Sequence, residues 1–191
     1  MDDRPILRSL GITLEAWRAL MGRLTAADLA LATPNPGWDV ADVIGHSIAV
    51  TRKFAAFAAG ATDRPRTPEQ GLSGDDHRAA FDDAAAEALA AWRGADPRRQ
   101  CHLPFGTFPA ELAAGINLFD LLAHGWDIRQ ATGAAFDCPD EVWSAGLDAA
   151  RRTVGEHRSP EHYAPALPVE PDASAETRFL RYLGRRAVHV W

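Results

Sequence analysis

The chain has 191 residues, of which 47% are hydrophobic, and its formal net charge at pH 7 is −6. This length allows a single domain over residues 1–191 with a buried core. The chain is acidic and has no Lys/Arg-rich block, which excludes the positively charged surface needed to bind a nucleic acid or an anionic membrane. We therefore expect the binding partner to be a small molecule. The two cysteines lack Cys-x-x-Cys spacing, and no apolar run suits a signal peptide or a spanning helix, so we expect free thiols in a cytoplasmic protein.

The first third of the chain contains two helical patterns separated by a turn-rich stretch. Apolar residues recur with a spacing close to 3.6 and predict a helix from Ile6 to Arg23. Residues 33–39 read Thr-Pro-Asn-Pro-Gly-Trp-Asp, and Asp39 is a suitable N-cap for a second helix from Val40 to Ala59. His46 lies in the inward-facing stripe of that second helix.

The middle of the chain is less regular. The stretch from Gly60 to Gly74 is rich in Pro, Gly, Thr and Asp, and it predicts an exposed loop. Asp75 or Asp76 can then cap a third, amphipathic helix that reaches Trp92. Residues 100–109 contain too many turn formers for a helix and indicate a short extended piece or a hairpin.

A fourth helix is predicted from Pro109 to Ala131, with Gly133 suited to the left-handed position after it. Its residues are apolar on nearly all sides, which is typical of a buried helix. Three polar residues, Asp120, His124 and Asp127, nevertheless fall within about 60° of one another on its surface. Buried carboxylates need cationic partners, and a metal ion is the most economical candidate.

The last part of the chain adds two shorter helices. Asp140 can cap a fifth helix to about His157, the segment from Ser159 to Ala175 contains several prolines, and a short helix is predicted from Thr177 to Arg186. Helices joined mostly by short connections predict an all-α fold. The expected architecture is an up-and-down four-helix bundle with short extra helices and at most one hairpin.

The polar stripe predicts a metal site built from two helices. Asp120 and His124 stand one helical turn apart, so both can reach one ion, and His46 can supply a third ligand. Three protein ligands leave a position open for water or substrate, as in catalytic sites. Asp127 can either join the ion or accept a ring N–H from His124, and we favour the second role. The alternative is that these residues only bond to one another in the core, without any ion.

Two arginines are candidates for contact with a substrate. Arg129 and Arg52 each lie one or two helical turns from a predicted ligand, and a guanidinium can bind a substrate carboxylate through two parallel hydrogen bonds. An ordinary surface position or a salt bridge within the protein is the alternative for both.

Four stretches of the chain match a known family: Pro36–His46, Leu103–Gly106, Asp120–Gly133 and Arg178–Arg186. At these residues the chain resembles the mycothiol-dependent maleylpyruvate isomerase N-terminal-like proteins, which are DinB-like metal-binding helical bundles. The resemblance implies a divalent ion, usually zinc, held by the residues at positions 46, 120 and 124. The family's isomerase has a glutamate where this chain has an aspartate at position 120, and the shorter side chain implies either less direct binding of the ion or a closer approach of the helices.

The resemblance also implies a reaction class. An open-site zinc would activate the thiolate of a low-molecular-weight thiol, mycothiol, for attack on a small electrophile, in an S-transferase or an isomerase. Two other functions stay open on the same ligands. One is a metal-dependent hydrolase, and the other is a metal-binding stress or scaffold bundle without catalysis. The electrophile and the oligomeric state, including a homodimer, are not fixed by the sequence.

Overall fold

The computed structural model describes residues 4–62, 76–155, 158 and 163–186. Within these ranges the chain forms six α-helices and one antiparallel β-hairpin, and the predicted, mainly α-helical class is confirmed. The elements are α1 (Pro5–Arg23), α2 (Val40–Ala59), α3 (His77–Gly94), β1 (Gln100–Leu103), β2 (Gly106–Pro109), α4 (Ala110–Thr132), α5 (Asp140–Thr153) and α6 (Ala175–Tyr182). Across the same ranges, every helix is too short or too polar to span a bilayer.

The four long helices form a bundle in the order α1, α3, α2, α4. Helix α1 packs on α3 and α4, and α2 packs on the same two helices, so the consecutive helices α1 and α2 lie across the diagonal. Helix α5 packs outside α4 and α1, and α6 packs on α5. Large aromatic side chains fill the interior, among them Trp17, Phe81, Trp92, Phe136 and Trp143. This order makes α2 and α4 direct neighbours.

Helix α2 has the bounds that the sequence predicts, because both of its ends are fixed locally. The backbone N–H of Asp42 donates to the Asp39 side chain over 2.8 Å, and the Asp39 N–H donates back to the Asp42 side chain over 3.2 Å. Such a cap is worth about 1 kcal/mol. At the other end, Gly60 adopts a φ of 105°, which favours glycine and ends the helix. The cap also ties the preceding turn to the helix that carries His46.

Helix α4 runs through the middle of the molecule and ends at Thr132, one residue after the predicted Ala131, and Gly133 follows in the predicted left-handed conformation with a φ of 71°. The chain then returns over the helix, and the Phe136 ring lies directly against Gly125. A Cβ atom at position 125 would stand 2.3 Å from that ring, so only glycine permits this approach. The return of the chain therefore packs an aromatic ring directly against α4 at Gly125.

The sequence misplaces the ends of the two short helices. Asp140 is the first helical residue of α5 and not its cap, since Pro139 holds the N-cap position. The helix ends at Thr153, close to the left-handed Gly155, and the predicted end at His157 lies outside the described residues. Most of the predicted 60–74 loop and the start of the proline-containing segment also lie outside them.

Helix α6 begins two residues before its predicted start and ends four residues before its predicted end. Ser174 caps it by accepting from the Thr177 N–H over 3.2 Å, so Thr177 is already inside the helix. After Tyr182 the chain turns at Gly184, whose φ is 78°, and Arg185 is no longer helical. Glycine is required here because a Cβ would lie 2.8 Å from the Ala164 carbonyl oxygen.

Candidate metal centre

The structure brings together the three residues that the sequence predicts as ligands. His46 projects from α2, Asp120 and His124 project from α4, and one donor atom of each lies within 4.8 Å of the others. The two imidazole rings have centroids 5.0 Å apart and planes at 75°. The convergence depends on the direct packing of α2 on α4. Metal binding by this cluster stays a prediction.

The cluster has the spacing and the chemistry of a divalent-cation site. His124 Nε2 and Asp120 Oδ1 are 3.7 Å apart, too far for a hydrogen bond but near the roughly 3.4 Å that separates neighbouring ligands of a tetrahedral zinc ion. Asp120 Oδ2 is buried and has no hydrogen-bond partner among the described residues. Burying such an oxygen costs free energy unless something compensates it. Two imidazoles and one carboxylate fit zinc.

The His124 ring is oriented from its other side by Asp127. His124 Nδ1 lies 3.0 Å from Asp127 Oδ2, and because a carboxylate only accepts, Nδ1 carries the hydrogen. In the neutral imidazole the lone pair is then on Nε2, the atom that faces Asp120. This is the contact that the sequence predicts for Asp127.

Asp127 is itself held by two residues from distant parts of the chain. Arg185 donates through Nε to Oδ1 over 3.0 Å and through Nη2 to Oδ2 over 2.8 Å, and Asn35 donates to Oδ2 over 2.9 Å. The Asp127 side chain is 1% exposed. Burial by itself would raise the pKa of Asp127, but the Arg185 charge and the His124 hydrogen bond outweigh it and hold the pKa well below its usual range. Asp127 is therefore an ionised acceptor.

Two aromatic residues border the cluster. The Trp38 ring meets His46 edge-on at 4.9 Å and lies nearly parallel to the His124 ring at 6.2 Å. Burial and the negative charge of Asp120 raise the pKa of Tyr163 to about 12, so its phenol is neutral at physiological pH. The side chains of Asp120 and His124 remain 22% and 12% exposed, so the cluster is in contact with solvent.

The structure gives Arg129 and Arg52 other contacts than those expected from the sequence. Both Nη atoms of Arg129 bind the Glu176 carboxylate of α6, and Nη1 also donates to the Phe136 carbonyl over 3.3 Å. Arg52 donates to the Ala80 carbonyl over 3.3 Å. A substrate-carboxylate role stays a prediction for Arg129, and this geometry does not favour it, because the guanidinium already serves to hold α6 on α4.

The sequence reasoning missed Arg185 and Asn35. The signal for the first was available in principle, since an ionised Asp127 on an apolar helix requires a cation and the matching stretch Arg178–Arg186 contains several arginines. No local pattern selects Arg185 among them. Nothing in the turn around Asn35 points to α4.

Comparisons with known proteins show which family the chain resembles. The family model described as the mycothiol maleylpyruvate isomerase N-terminal domain matches residues 10–129, a range that contains the three candidate ligands. Two uncharacterized proteins of Mycobacterium tuberculosis, MT0763 of strain CDC 1551 / Oshkosh and Rv0738 of strain ATCC 25618 / H37Rv, are each 29% identical to this chain over 173 residues. The matches cover 90% of this chain and 92% of each relative. No solved structure matches the chain significantly.

Proposed function

The chain belongs to the mycothiol maleylpyruvate isomerase N-terminal domain family, and on that basis we propose that it binds a divalent metal ion, zinc by preference, through His46, Asp120 and His124. The observation that carries the proposal is the convergence of these side chains from two helices. One carboxylate oxygen of Asp120, Oδ2, is buried there and has no hydrogen-bond partner among the described residues. The cluster has the ligand types of catalytic zinc sites.

We further propose that the site acts on a low-molecular-weight thiol such as mycothiol. Three protein ligands leave a position open, and zinc bound there would lower the pKa of a thiol and hold it as the thiolate. The residues of this chain would orient and shield that thiol. Asp127 fixes the His124 ring, and Trp38 covers one side of both imidazoles.

The proposed reaction is attack of the thiolate sulfur on a small electrophile. In an S-transferase a sulfur–carbon bond forms while the leaving group departs with its electron pair. In an isomerase the sulfur adds to a cis double bond, the carbon–carbon bond rotates, and the thiolate leaves again. Neither reaction needs a nucleophilic side chain from the protein.

A non-catalytic bundle is the second candidate, and one observation favours it. Asp127, Arg185 and Asn35 satisfy one another without any ion, so part of the polar stripe already serves the fold. In that case the polar residues would fix how the helices pack, and an ion would contribute to stability alone.

Zinc titration of chelator-treated protein against a chromophoric competitor tests the proposal. We expect one zinc per chain for the wild type, and no tight binding for H46A and for H124A. H102A is the matched control, because His102 is an exposed histidine that bonds Thr107 on the hairpin. Equal zinc binding by all four proteins would contradict the site.

The thiol part of the proposal needs a separate measurement. With cobalt in place of zinc, we expect added mycothiol to produce a thiolate-to-cobalt charge-transfer band in the wild type. Absence of that band, together with thiol-independent hydrolysis of ester or amide substrates, would favour the hydrolase. Absence of both, with metal-dependent stability only, would favour the scaffold.

A further inference from the structure

Asp127 connects three segments that are far apart in the sequence. Asn35 precedes it by 92 residues, and Arg185 follows it by 58 residues, beyond the last described helix. Both bind the carboxylate that accepts the hydrogen bond from His124. The orientation of one candidate ligand therefore depends on the segment after α6.

We propose that Arg185 is a positioning residue of the metal centre, which fixes the Asp127 carboxylate so that His124 presents Nε2 to the ion. The inference rests on the proposed metal binding. It adds that the affinity of the site is set by the segment after α6, which lies outside the range matched by the family model.

The geometry of the contact explains why an arginine is needed. Nε and Nη2 each bind a different oxygen of Asp127, at 3.0 and 2.8 Å, so the carboxylate cannot rotate. Oδ2 then accepts from Asn35, Arg185 and His124 together, at 2.8 to 3.0 Å. A lysine at position 185 would keep the charge but could not hold both oxygens in one plane.

The backbone around Arg185 is fixed as firmly as its side chain. Its N–H donates to the Leu180 carbonyl over 2.9 Å, and the Arg181 carbonyl accepts from the Leu167 N–H over 2.9 Å. The left-handed Gly184 packs against Ala164 in the space that a Cβ would need. The segment thus docks on the bundle in a defined position. The next residue, Arg186, is exposed and offers a control of equal charge in the same segment.

The test compares R185Q, R185K and R186Q with the wild type by zinc competition and by the cobalt absorption spectrum. Loss of a residue that orients a metal ligand costs about 10- to 100-fold in affinity. We expect a loss of that size for R185Q, a smaller loss for R185K, and wild-type affinity for R186Q. We also expect altered ligand-field bands for R185Q, because His124 would take a different angle at the ion. A change in overall stability would not by itself move those bands.

A double variant keeps the test decisive if R185Q does not fold. D127N/R185Q leaves neither buried charge unpaired and should fold. If Arg185 acts through Asp127, the double variant loses no more zinc affinity than D127N alone. Losses that add, or wild-type affinity and cobalt bands in folded R185K and R185Q, would overturn the inference. A wild-type protein that binds neither zinc nor cobalt would instead refute the proposed function.

Discussion

Asp120 and Asp127 stand on the same helix, on either side of His124, and both face its ring, yet their surroundings differ. Asp127 is almost fully buried and receives four hydrogen bonds from three residues. Asp120 is 22% exposed, and its Oδ2 is buried with no hydrogen-bond partner within the described ranges. The protein therefore hydrogen-bonds both oxygens of Asp127, whereas Asp120 receives the longer-range charge of Arg185 and has one buried oxygen without a hydrogen bond. This difference separates a residue that supports the site from one that is available to bind.

The isosteric change D127N removes the charge of the carboxylate that the protein hydrogen-bonds on both oxygens. Of the variants considered, it should lower the free energy of unfolding most. It removes the carboxylate charge that directly pairs with the mostly buried Arg185 guanidinium, and breaking a buried ion pair in this way costs about 3 to 5 kcal/mol. Urea denaturation of metal-free protein measures the free energy of unfolding. A loss below about 1 kcal/mol would mean that the pair contributes little.

The matched change D120N should have the opposite profile. It removes a candidate ligand, so we expect zinc affinity to fall by at least about 100-fold. That is the upper end of the loss caused by removing a residue that only orients a ligand. The stability of metal-free protein should stay the same or rise, since a poorly compensated carboxylate is removed. Zinc competition and urea denaturation on the same preparation check both expectations. Destabilisation as large as that of D127N would remove the contrast.

A third variant tests whether zinc affinity depends on the stability of α2 or only on the residues around the candidate ligands. D39A removes the cap of α2 and should lower the free energy of unfolding by about 1 kcal/mol. Zinc affinity of the folded protein should hardly change, because His46 lies two turns inside the helix. Thermal denaturation and zinc competition provide the two readouts. A large loss of affinity would show that the position of α2 depends on its first turn.

Cys138 sharpens the comparison because it is a half-buried acid whose pKa is shifted mainly by loss of solvent and not by a cation. Burial raises the pKa of its thiol to about 11, opposite in direction to the pKa of Asp127. Above pH 9 the unfolded chain loses this proton and the folded chain retains it, so stability falls as pH rises from about 9 to about 11. Relative to C138A, the wild type should lose about 1 kcal/mol at pH 10. Denaturation of both proteins from pH 8 to pH 10.5 measures the difference.

The features predicted best from the sequence are those that depend on neighbours within one helix. The capping box and Gly60 determine the first and last residues of α2. The spacing of Asp120, His124 and Asp127 places them on one stripe of α4. That spacing allows the contact between His124 and Asp127, which was the favoured one of two roles expected for Asp127. Local rules are sufficient here because three or four residues of separation determine which side chains can meet.

The remaining features depend on packing between distant segments. The Glu176 partner of Arg129 and the Arg185 partner of Asp127 become visible only when α6 and the turn after it are placed on the bundle. Buried acids need cations, but several arginines were available, and spacing could not choose among them. His46 was a candidate third ligand because it lies on an inward face of its helix, and the family resemblance added the expectation that it meets α4, since periodicity alone does not say which helix an inward face contacts.

The diagonal placement of α1 and α2 affects how the protein folds during synthesis. These two helices leave the ribosome first, but each needs α3 and α4 to cover its apolar side. We therefore expect the first 60 residues to remain without stable tertiary structure until α4 is made, and folding to occur as one late, cooperative event. The proposed cation site would then be assembled only after residue 124 has been translated, and the contact of Asp127 with Arg185 would follow when the segment after α6 is added.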